Sequence, residues 1–202
     1  MAILTFPAIV PETQDFGIRY NTQISTSTIS GIAQTVELPG ARWNGSISFT
    51  DMTLSESAAL KGFMLELRGS AGRFFYGDQT HTSPFNAVIG SPTVESASTP
   101  RFVRVTLGSS SPEFSPGDYV QVGTDDQREL KMVISSTVVS GDTYDLVIEP
   151  MIRRTDYIGL PVVYNDPQGV FILTADDQAK WSARSKAALT NMSLDFTEMF
   201  VL

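Results

Sequence analysis

The sequence predicts a mainly β protein with one flanking α-helix, a long hairpin, and a small antiparallel β-barrel inserted into a larger β-sandwich host. Three observations carry that prediction. Apolar and polar residues alternate along most of the chain, helical periodicity occurs once, and turn signals punctuate residues 84–161 at strand-length intervals. Composition agrees: 42% of the 202 residues are hydrophobic and only 18% are charged. That is enough apolar material for a core and too little charge for a long coiled coil.

The elements follow in order. Residues 1–10 (MAILTFPAIV) are apolar but lack a basic leader and contain Pro7, which predicts an N-terminal strand or arm rather than a secretory signal or a membrane span. Residues 18–38 form a Ser/Thr/Gln-rich stretch turning at Ser30-Gly31. Ile24, Ile29, Ile32 and Val36 are scattered among polar neighbours, so neither face is a continuous apolar stripe and the hairpin builds little core of its own. Pro39-Gly40 reads as a turn, and residues 43–49 as a half-buried strand with Trp43, Gly45, Ile47 and Phe49 on one face. Residues 53–69 are the helix. Thr53 and Glu56 make a capping box, Leu60, Phe63, Met64 and Leu67 make the apolar face, and Gly69 ends it. Residues 73–76 (RFFY) are a strand closed by Gly77-Asp78.

Residues 84–161 differ in texture, carrying 10 acidic and 6 basic residues and no helical period. Apolar runs at 102–107, 119–122, 130–135 and 144–148 predict the strands of a small barrel bracketed by Pro84 and Pro161. Residues 91–100 (SPTVESASTP) read as a flexible linker. Residues 169–173 and 189–198 return to the host as strands, the second with Met192, Leu194 and Phe196 on one face, and a short helix or turn is expected near residues 176–186. The division is therefore a discontinuous host domain, 1–83 and 162–202, interrupted by a barrel at 84–161.

Chemistry is excluded more readily than assigned. The absence of cysteine removes disulfides, thiolate metal sites and a cysteine nucleophile, and a single histidine removes any mechanism that needs two imidazoles. His81 follows Asp78 by three residues, but the pair falls short of a zinc ligand set, and the sequence has no Gly-x-Ser-x-Gly elbow to supply a nucleophile. The doublets Asp125-Asp126 and Asp176-Asp177 point to opposite sides of the chain and read as turn and capping residues. Arg153-Arg154 is the one basic doublet and reads as a loop or an inter-subunit ion pair. No catalytic, cofactor-binding or metal-ligating residue is assigned, and the expectation is a non-enzyme without cofactor. The formal charge of −8 argues against a surface that grips phosphates.

The order of these signals is itself informative. A polar hairpin precedes Arg42-Trp43, then come Leu54-Ser55-Glu56 opening a helix, Leu67-Arg68-Gly69, Gly72-Arg73-Phe74 and Gly77-Asp78. Residues 115–122 (SPGDYVQV) and Pro150-Met151-Ile152-Arg153 follow, with a closing hydrophobic strand. From about residue 18 to 198 the chain resembles the distal tail proteins of bacteriophages with long, flexible tails. The resemblance implies a host like a tail-tube subunit, an inserted oligonucleotide/oligosaccharide-binding-like barrel, and a hexameric ring of copies whose hairpins close around a DNA channel. It further implies partners in the tail-tube protein and the tail-tip hub or fibre, DNA that passes without specific binding, no membrane partner, and assembly in the host cytoplasm before residence in the virion tail tip. The alternatives are a tail-tube or tail-terminator subunit sharing the sandwich, and a carbohydrate-binding module using Tyr119 or Tyr144 on a barrel face.

Overall fold

The computed structural model describes residues 2–107, 113–154, 156–184 and 189–200. It is mainly β with one α-helix. The strands are β1 (Ile3–Thr5), β2 (Thr13–Thr26), β3 (Ala33–Met52), β4 (Arg73–Tyr76), β5 (Thr93–Thr99), β6 (Phe102–Thr106), β7 (Tyr119–Val122), β8 (Glu129–Ser140), β9 (Thr143–Glu149), β10 (Val162–Val163), β11 (Gly169–Leu173), β12 (Ser182–Arg184) and β13 (Leu189–Glu198), with α1 (Leu54–Leu67) between β3 and β4.

Two sheets organise them. The first runs β1-β4-β11-β13-β3-β2, with β12 paired to the start of β13 (residues 189–191), away from the residues 196–198 that β11 pairs with. The second runs β10-β7-β8-β9-β6-β5 and is made wholly of residues between β4 and β11, which are themselves neighbours in the first sheet. It nearly closes on itself. Backbone bonds from Val94 to Leu160 (3.0 Å), Gly159 to Val94 (2.7 Å) and Val162 to Pro92 (2.8 Å) join its two edge strands into a barrel. The barrel reaches two residues beyond Pro161, because Val162 and Val163 pair with β7.

Inward alternation builds the core. Trp43, Ile47 and Phe49 of β3 and Met192, Leu194 and Phe196 of β13 are buried on one face of the first sheet, covered by Leu60, Phe63, Met64 and Leu67 of α1. Gly45 sits in that row because a Cβ there would lie 2.4 Å from the Phe196 ring. The helix starts where expected: Glu56 N donates to Thr53 Oγ1 (3.4 Å) and Thr53 N to Glu56 Oε2 (2.9 Å), and the Thr53 hydroxyl (2.7 Å) together with that amide holds the Glu56 carboxyl below its ordinary value. Its last residue is Leu67; Arg68 caps it at φ 54°, and Gly69 follows as the expected left-handed residue at φ 70°. Thr53→Ala should cost about 1 kcal/mol in urea unfolding, the usual value of such a cap.

Two expectations are corrected. Pro39-Gly40 is no chain reversal but an irregularity inside β3, where the β2 register shifts between Arg19 and Asn21. Proline is tolerated there because the ladder skips it and β3 has no second neighbour at that point; Gly40 takes φ 130°. The segment read as a linker forms β5, pinned by buried Val94, whose apolar contribution the surrounding serines and threonines mask. Where a short helix or turn is expected near residues 176–186, a 3-10 turn at Asp176–Gln178 leads into β12, whereas residues 185–188 of that stretch lie outside the described ones.

Candidate functional site

Most of the polar chemistry is used up internally. His81 Nε2 lies 3.2 Å from Asp118, not against Asp78, and Asp118 also accepts from the amides of Phe85 (2.9 Å) and Ser115 (2.7 Å). This fastens the loop after β4 to the turn before β7, and no hydroxyl approaches His81 in the described hydrogen bonds. Asp78 accepts instead from Gln14 Nε2 (2.7 Å) and from the Thr80 amide and hydroxyl. Burial opposes its charge, but the bonds from Thr80, Tyr119 and Gln14 outweigh it and hold the carboxyl below its ordinary value. Burial, reinforced by Asp78, pushes the phenols of Tyr76 and Tyr119 upward. Tyr119 and Tyr144 are both buried, so neither offers a stacking platform to a sugar.

The doublets behave as turns and pins. Asp125 holds φ 56° at a 3-10 turn, Asp176 accepts from the Ser70 amide (3.0 Å) and hydroxyl, and Asp177 pairs with Lys180. Arg154 pairs with Asp156 at 2.8 Å, while the Arg153 guanidinium lies over the Phe200 ring. Among the described residues no group of three or more His, Asp or Glu is placed to hold a metal ion, and no helix is long and apolar enough to cross a membrane.

The seam between the sheets holds a buried ionic group that the sequence reading passed over. Lys131 is fully buried on β8, with its Nζ 2.7 Å from Glu129 Oε2 and donating to the Met151 carbonyl. Glu129 also accepts from the Arg153 amide. Opposite, Glu198 continues the buried row of β13 and accepts from the Trp43 amide at 3.1 Å. A signal existed: Lys131 interrupts an apolar run and Glu198 falls at the inward parity of Met192, Leu194 and Phe196.

Burial raises the Glu198 carboxyl above its ordinary 4.5, against the pull of Lys131, the Trp43 amide and Arg153. A carboxyl raised in the folded state contributes stability below its unfolded value and loses it as pH climbs through the folded value. Relative to the wild type, Glu198→Gln should therefore gain stability as pH rises above the ordinary carboxyl value of 4.5 in denaturant titrations. Parallel stability profiles would contradict this origin.

The largest feature without a partner inside the chain is the ribbon formed by the distal parts of β2 and β3. Residues 19–39 are all exposed, and Ile29 at the tip is 99% exposed. The ribbon turns through residues 27–32, with Gly31 at φ 69°, close to the expected Ser30-Gly31 position. Register puts Ile24, opposite Thr35, on one face, and Val36 and Leu38, opposite Gln23 and Asn21, on the other. No residue from 20 to 36 is charged. The first charge beyond, Glu37, lies 3.8 Å from Arg101 of the second sheet, which also contacts buried Glu149 at 2.5 Å.

Both long edges of the ribbon are open. Among the described residues nothing pairs with the outer edge of β2, and β13 joins β3 only from Asn44 onward. A two-stranded ribbon of this length with unsatisfied edges is marginal in water and a template for strand addition. In the comparisons made, no family model and no curated protein sequence matches this chain.

Proposed function

We propose that this chain is a structural subunit that closes into a hexameric assembly at the distal end of a flexible phage tail.

 It would join the tail tube to the tip hub or fibre, and the ribbon would form the wall of the channel. The observation that carries the reading is the ribbon itself: long, exposed on both faces, open on both edges and uncharged over residues 20–36. Neighbouring copies that pair edge to edge satisfy both edges of every ribbon once the ring closes, which removes the exposed-edge hazard without a second protein. The order of motifs from residue 18 to 198 supports the same reading. A wall of hydroxyl and amide side chains lets a polyanion pass without holding it, and it is this neutrality, more than the net charge of −8, that suits a channel.

The test is to shorten the ribbon. Replacing residues 21–37 with an Asn-Gly turn should leave the far-UV spectrum and cooperative unfolding intact, because the ribbon adds nothing to the buried core. Assembly of the purified chain should be lost. A shortened chain that still forms rings would refute the role given to the ribbon.

A further inference from the structure

Cross-strand register sets two rows of opposite charge on the solvent face of the first sheet. In one row Ser46 of β3 stands between Asp15 of β2 and Asp195 of β13. Four residues along β2, Arg19 stands directly opposite Arg42 of β3. All four charged side chains are exposed, and none forms an ion pair among the described residues; Arg42 rests 5.6 Å from the centre of the Phe200 ring.

Like charges directly opposite on adjacent strands destabilise a sheet. The acidic row cannot relieve the arginines within one subunit, because four strand residues separate the rows by about 14 Å. The arrangement is therefore unfavourable in a lone copy and complementary between copies.

We propose that Arg19 and Arg42 of one copy engage Asp15 and Asp195 of the next, as the contact that sets register and handedness between neighbours in the ring. The inference rests on the ring reading above. The partner is a second copy rather than a polyanion, because a chain charge of −8 repels phosphate. The contact is head-to-tail, as ring closure requires: the Arg19/Arg42 row of each copy meets the Asp15/Asp195 row of the next. Exposed ion pairs add little affinity but strongly penalise wrong juxtapositions, which is the property a register contact needs.

Charge reversal tests this on the full chain. R19E/R42E and D15R/D195R should each raise the concentration for half-assembly by at least about tenfold, since each places like charges across the contact. Mixed in equal amounts, they should restore assembly, because alternating copies make every head-to-tail contact complementary again. R19Q/R42Q, which removes charge without adding repulsion, should flatten the salt dependence of assembly. If R19E/R42E assembles like the wild type, or R19Q/R42Q keeps the wild-type salt dependence, the inference falls while the ring reading stands. Two impaired variants that fail to rescue each other would refute the pairing. A wild-type chain that never assembles overturns both readings. Loss of retention on duplex DNA by R19E/R42E, with assembly unchanged, would assign the arginines to a polyanion instead.

Discussion

Trp43→Ala is expected to destabilise the protein by about 3–5 kcal/mol, the range for removing a large aromatic from a packed core. Trp43 is 1% exposed, stacks on Phe16 with ring centres 5.0 Å apart, and lies 5.5 Å from Tyr119 of the second sheet. Its Nε1 donates to the Leu130 carbonyl at 2.9 Å, so the substitution also leaves a buried acceptor without that donor. One side chain thus ties the base of the ribbon, the first sheet and the barrel together. Equilibrium urea unfolding followed by tryptophan-independent circular dichroism reads the effect; a loss below about 1 kcal/mol would mean that the seam is held elsewhere.

Lys131→Met should be comparably damaging, by about 3–5 kcal/mol, although methionine fills a similar volume. The cost arises from what stays behind. Glu129 loses its ion pair at 2.7 Å, and Glu198, already disfavoured as an anion by its burial, loses the attraction of Lys131. Adding Glu129→Gln to Lys131→Met should recover part of the loss, because the second substitution removes the stranded charge. Additive losses in this double-mutant cycle would show that the two side chains do not act as a pair.

Much of the fold was legible because local pattern and burial coincide. The capping box at Thr53 and Glu56 marks α1, and the inward rows of β3 and β13 follow strict alternation, so their place in one sheet beside the helix could be expected. The ribbon was legible for the opposite reason: scattered isoleucines among serines and threonines build no core, and residues 19–39 are indeed exposed. What escaped was set by distant partners. β5 resembles a linker until β6 pairs with it, and Pro39-Gly40 resembles a turn unless the unpaired edge of β3 is known. The ionic group at the seam joins Lys131 to Glu198 across 67 positions of sequence, a proximity that no local pattern encodes.

The central claim is that the ribbon makes this chain a ring subunit, and the native mass of the purified, unmodified chain tests it most directly. The account predicts a closed species near six times 22.0 kDa, visible as rings by negative-stain microscopy. A chain that remains at 22.0 kDa at every concentration, with its ribbon intact, would contradict it.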